Sequence, residues 1–291
     1  MARAPRNPLC ELLNNGVYCW TVLSICSLFF VVAGVQFWVT SYIVKVIGKT
    51  QEEVTPAFGL TSILAPIIGV FAGGMFIDQI GGYRGEAAMA LTLKCCFIFS
   101  CCAATSAITC AYIPTQLADD GNADGGFWAC IGLIAITLVF GGAIIPAATG
   151  CLVAAVPPDL RQISSAASMF CFQQLGYALS PLLSAVVAEA AEPLGLFDRD
   201  KELSKFVMTN ASTPEALAEA QELWLSAQLE KAKLTLGFQF VMLMGALGVV
   251  FLFGAWRCAE RRITVERRQT LSDSYASSAS MSVSATADAG L

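Results

Sequence analysis

The chain of 291 residues contains no histidine, and only 13% of its residues are charged. Without histidine neither a Ser/His/Asp nor a Cys/His arrangement can be assembled, so hydrolytic catalysis of those kinds is disfavoured. A zinc site is disfavoured too, because no Cys-x-x-Cys stands near an aqueous partner pair. No metal and no cofactor is therefore expected. Nor is there a basic stripe of the kind that tracks phosphates, so no nucleic-acid partner is expected. The net charge of −5 comes mostly from acids in one late segment and says little about ligands.

What is present is apolar. Hydrophobic residues make up 56% of the chain and its mean hydropathy is +0.65, far beyond a soluble domain of this length. Most of the twelve cysteines, from Cys19 to Cys171, lie in or at the ends of apolar runs. They read as small membrane hydrophobes, not as a disulfide framework. The pattern predicts an all-α protein that crosses the lipid bilayer repeatedly.

The clearest crossing is Phe58 to Ile77, which holds no charge and is long enough for a hydrocarbon core of about 30 Å. Asp78 marks its aqueous edge, and Gly69 and Gly73 give the small-xxx-small spacing that lets another helix approach closely. Other apolar runs cover Gly16 to Val46, Ala87 to Ile113, Phe127 to Val156 and Leu234 to Trp256, with a fifth crossing reaching Ala190. Gly141, Gly142, Pro146 and Gly150 can kink the fourth, and Asp159 with Gln162 is a capping pair for the fifth. Six crossings result. Residues 1–15 form an N-terminal segment, 16–260 the membrane domain, and 261–291 a Ser/Ala-rich tail expected to be disordered. Residues 191–232 read as an aqueous excursion with one amphipathic helix starting near Thr213-Pro214.

With six crossings both termini share a side with the loops at Asp78–Gly85 and Pro157–Arg161. Arg3, Arg6 and the arginines between Arg257 and Arg268 make that side cytoplasmic by the positive-inside rule. The sequon at Asn210 then faces the lumen or exterior, where it is a glycosylation acceptor. Plasma membrane and endolysosomal membrane are not distinguished.

Gly74, Asp78, Gly81 and Arg84, spaced Gly-xxx-Asp-xx-Gly-xx-Arg between the second and third crossings, resemble the loop signature of the major facilitator superfamily. Gly34 to Trp38, Phe58 to Thr61, Val156 to Arg161 and Gly176 to Pro181 resemble its Spinster-like branch. The resemblance implies the C-terminal six-helix half of a twelve-helix carrier, entered just before that family's seventh helix, with the first half absent from this chain. It further implies transport of a small organic or lipid-like solute by alternating access, possible proton coupling, and a partner that is either the missing N-terminal half or a second copy. The family usually has a base after the aspartate and after the second glycine, where this chain has Gln79 and Gly82.

Two readings of each site stay open. Asp78 with Arg84 is either a conformational latch or a loop anchor that only stops a helix. Gln36, Thr40, Gln173 and Gln174 either line a substrate path near the midplane or hydrogen-bond between helices. For the whole chain, the alternatives to transport are a non-transporting scaffold or regulatory half and, from another class, an intramembrane enzyme.

Overall fold

A computed structural model describes the backbone of residues 8–190 and 214–288 and the side chains of 8–190 and 221–270. The described residues contain helices and no strands. A short helix, α1 (Pro8–Leu13), precedes α2 (Gly16–Tyr42), which runs on as a π-turn, Ile43–Ile47. Next come α3 (Gln51–Gln79), α4 (Glu86–Asp119) and α5 (Ala123–Ala154). The fifth crossing is composite: a 3₁₀ turn Pro158–Leu160, α6 (Arg161–Cys171), a π-helical stretch Phe172–Ala178, and α7 (Leu179–Glu189). The last helix is α8 (Pro214–Asp288). Six segments are long and apolar enough to cross a membrane, and the protein is an integral multi-pass membrane protein.

Lipid tails are as apolar as leucine, so helix association in a bilayer rests on close packing and interhelical hydrogen bonds. The α3–α5 contact uses the first device. A Cβ built at Gly69 would lie 2.1 Å from the Val139 carbonyl oxygen, and one at Gly142 would lie 2.7 Å from that of Pro66. Gly73 sits equally close to Ala143, whereas nothing lies within 4 Å of a Cβ at Gly74. The glycine spacing thus serves two different faces. Helix α5 itself is unbroken from Ala123 to Ala154, so its glycines and Pro146 end no helix, and Gly142 and Gly150 act by admitting neighbours.

Helix α2 is the hub. The first crossing is 61% buried against 22% for each of the second and fifth, which stand at the periphery. Tyr42 stacks on Phe238 of α8 at 4.3 Å between ring centres, and its hydroxyl shares a hydrogen bond with Thr115 of α4. Ser27 donates to the Met244 carbonyl at 2.8 Å, and Ser180 to that of Phe30 at 2.6 Å. The buried apolar residues divide into two clusters along the bundle. One includes Trp38, Tyr42, Ile134 and Phe238, and the other includes Val17, Ile25, Leu93 and Leu252.

The helix ends differ from expectation in four places. The stretch Lys49 to Glu53 reads in the sequence as a polar turn, yet Glu53 reaches back to the Thr50 N–H at 3.3 Å, so the second crossing starts at a reciprocal cap within it. At the fifth crossing, Asp159 lies inside the 3₁₀ turn and α6 starts after Leu160 with no side-chain cap, because Pro157 and Pro158 set the tight turn first. The amphipathic stretch after Pro214 and the sixth crossing form one helix, since 228–233 contain neither glycine nor proline. For the same reason the helix runs past 261 to Asp288 where a disordered tail is expected: no glycine or proline occurs between Gly254 and Gly290. All twelve thiols are free.

Charge is confined to the ends. On the side of the α2–α3 turn, Lys45 pairs with Glu230, Lys49 with Asp124, and Lys233 with Glu189 at 2.5 Å, joining the ends of α2, α5, α7 and α8. On the opposite side Asn15 caps α2 by accepting from the Tyr18 N–H, donates to the Ala155 carbonyl at 2.7 Å and accepts from Arg262.

Candidate functional site

The turn between α3 and α4 is built by three glycines in the left-handed region: Gly81 at φ 109°, Gly82 at 66° and Gly85 at 91°. A side chain at any of them would strain the backbone. Gly82 N–H bonds the Ile77 carbonyl at 2.9 Å, and Thr92 Oγ1 donates to the Gly82 carbonyl at 2.6 Å, which fixes the turn against α4. Tyr83 lies on Gly150 of α5, where even a methyl group would come within 2.5 Å of its ring. The turn is therefore rigid on its inner side.

Its outer side is open. Asp78 and Arg84 are both exposed, line a shallow hollow with Gly81 and Gly82, and make no ion pair with each other or with any described residue. Asp78 falls in the last turn of α3, where the helix dipole is negative, and no basic residue shares that turn. A carboxylate there is electrostatically misplaced until a cation or a helix N-terminus meets it. Arg84 and Arg161 flank a second cleft with Tyr83, Gly85 and Thr149. The two loops at this end thus bring together two arginines and one aspartate that have no ion-pair partner among the described residues.

Gln36 is exposed and Thr40 half-buried on α2, and Gln173 and Gln174 are exposed on the π-helical stretch. A π-helix shifts the hydrogen-bond register and is common at functional sites. The fifth crossing runs parallel to α2 with an offset of 146 to 150 residues, as in Tyr18–Ser164, Trp38–Ser184 and Phe30–Ser180. By that offset Gln173 stands level with residues near 25, about 16 Å along the axis from Gln36 at 1.5 Å per residue. The four polar residues form two levels, not one cluster. Gln173 and Gln174 occupy the middle of the Pro158–Glu189 span. Gln36 alone of the four lines the internal cavity of the bundle. Asn210 lies outside the described residues.

Residues 6–126 match the model of the Organic Anion Transporter Polypeptide (OATP) family. The matched stretch contains Gln36, Thr40 and the Gly74 to Arg84 turn and reaches the start of α5. Gln173, Gln174 and the fifth and sixth crossings lie beyond it. Searches of curated proteins and of solved structures gave no match. The OATP similarity and the six apolar helices agree on a transporter-like membrane protein. Among the described residues no group of three or more His, Cys, Asp or Glu is placed to hold a metal ion.

The feature that sequence reasoning missed is Arg161 as the companion of Arg84. Its signal is the Pro157-Pro158 turn, which brings the start of α6 beside Tyr83 and Thr149. With Gln79 and Gly82 in place of bases, the α3–α4 turn itself carries Arg84 as its one cation, and Arg161 stands beside it.

Proposed function

We propose that the protein is a six-helix half of a major facilitator type carrier, moving an amphiphilic organic solute by alternating access against a second half. The observation that carries this reading is exposed polarity within otherwise apolar spans. Gln36, Gln173 and Gln174 are exposed at depths where contact with lipid is costly, and exposed Asp78 stands at the negative end of its own helix. Gln173, Gln174 and Asp78 call for protein or water outside the six helices, and Gln36 stands between the cavity and that exterior. In carriers built from two related halves, the solute path lies at the interface between the halves.

The name of the matched family suggests an organic anion, and the Spinster-like resemblance a lipid-like solute. Both describe an apolar body with a polar end. In this reading the solute's charge is met near the ends, by Arg84 and Arg161 on the cytoplasmic side, while the glutamines serve the uncharged interior. The partner is the N-terminal half or a second copy. Asp78 and Arg84 act as the latch that docks onto it in one state and releases it in the other.

The test is uptake by the complex purified from the native membrane through a tag on this chain and placed in liposomes. Saturable uptake of a fluorescent amphiphilic carboxylate, lost in Gln173→Ala, supports the proposal. A complex that binds its partner yet carries neither this solute nor its uncharged amide supports the scaffold reading instead.

A further inference from the structure

The two buried clusters of the bundle are separated by a cavity of about 290 Å³, lined from α2, α3, α4, α5, the π-helical stretch and α8. An apolar cavity of about 150 Å³ already accepts a benzene ring, so this one has room for a larger body. Most of its wall is aliphatic, including Leu28, Val31, Leu138 and Ile144, and no lining residue is charged. Its space is kept open by glycine. A Cβ at Gly141 would meet only Leu28, at 3.8 Å, and one at Gly245 only Val31, at 3.6 Å, so either side chain would project into the free volume.

The polar groups of the wall are the Gln36 amide and several hydroxyls, among them Ser24, Ser27 and Ser100. Ser24 is 2% exposed and Ser100 6%, and neither side chain has a hydrogen-bond partner among the described residues. Ser27, one turn along α2 from Ser24, uses its proton on the Met244 carbonyl and keeps its acceptor capacity. Ser27 and Ser100 approach each other across Gly248, whose Cβ would lie 3.4 and 3.7 Å from their oxygens. Buried polar groups in native proteins are ordinarily paired, and helical serines have a ready partner in the carbonyl one turn back. Ser184 takes that option, bonding the Ser180 carbonyl at 2.6 Å, and Ser24 and Ser100 do not.

We propose that this cavity binds an uncharged amphiphile: an apolar chain or ring among the aliphatic side chains, with one hydroxyl held by Ser24, Ser27 and Ser100. The hydroxyl donates to the free Ser27 oxygen and accepts from Ser100. An ionised carboxylate is excluded, because no cation lines the cavity and desolvation without a partner is prohibitive. The site shares Gln36 with the exposed polar groups but differs from them in the ligand it takes, and its occupancy requires neither a second half nor transport.

The test uses the full chain purified in detergent and photolabelled with a diazirine-bearing octanol and with the matching octanoate at pH 8. The alcohol is expected to label 24–36 and 100–107, with saturation and displacement by excess octanol, and the octanoate to label these at least about tenfold less. Gly245→Val is expected to abolish the labelling. Ser100→Ala, which hardly alters volume, is expected to weaken it about fivefold, the value of one ordinary hydrogen bond. Equal labelling by the two probes, unchanged labelling in both variants, or labelling confined to outward residues such as Phe71 and Met75 would overturn the proposal. Because the readout is binding to the chain itself, an absence of solute flux in the complex leaves this result untouched.

Discussion

Trp38 of α2 donates its indole N–H to the hydroxyl of Ser184 on α7 across 2.7 Å, with both side chains buried. Ser184 in turn donates to the Ser180 carbonyl, and Ser180 to the Phe30 carbonyl, so one polar chain ties the fifth crossing to the hub helix. Interhelical bonds of this kind average about 0.6 kcal/mol and reach about 1.7 kcal/mol. A double-mutant cycle with Trp38→Phe and Ser184→Ala is expected to give a coupling energy in that range. Additive effects would mean that Trp38 holds α7 by packing alone.

Gly69 and Gly74 separate packing from function. With the Val139 carbonyl 2.1 Å from its Cβ position, Gly69→Ala forces α3 and α5 apart and is expected to cost about 1–3 kcal/mol in unfolding measurements. Gly74→Ala meets nothing and is expected to leave stability unchanged or raise it by up to about 1 kcal/mol, since alanine favours helix. Loss of transport in Gly74→Ala at normal stability assigns that face to the partner.

Asp78→Asn removes a carboxylate from the negative end of α3. Its expected effect on stability is a gain of about 0.3–1 kcal/mol, with transport by the complex falling at unchanged surface abundance. Normal transport at normal abundance leaves Asp78 as a loop anchor.

Lys49 accepts its pH signature from Asp124. The hydrogen bond to that carboxylate raises the Lys49 pKa above the ordinary 10.5, the nearby Asp124 and Glu53 charges adding to it against some desolvation. A raised lysine pKa gives stabilisation that is fully present below about 10.5 and is lost as pH rises through the folded-state value. Thermal stability should therefore show an alkaline step, absent from Lys49→Gln. A step of equal size in that variant would assign it to another group.

The crossings were legible because each is an apolar run of membrane length bounded by charge or by Gly/Pro turns, and the Gly69 and Gly73 spacing announced a close helix contact that α5 supplies. The Thr50-Gln51-Glu52-Glu53 cap was equally visible but read as a turn, since polar residues at an apolar boundary have two meanings. The long α8 was not legible, because composition reports polarity and not the absence of helix breakers between 254 and 290. The separation of Gln36 from Gln173 depends on the offset between parallel helices, which only the Tyr18–Ser164 and Trp38–Ser184 contacts reveal. The unpartnered serines of the cavity were hidden for a similar reason. Ser24 and Ser100 differ from Ser184 only in what their hydroxyls reach.

The central claim is that Gln36, Gln173 and Gln174 meet protein or water and not lipid. It is tested most directly by placing a photocrosslinking amino acid at Gln36 and Gln173 in turn, and at the exposed apolar Ile98 of α4 as the reference, in the native membrane. The account predicts protein adducts of one defined mass from the first two positions and lipid adducts from Ile98. Lipid adducts from all three positions would contradict it.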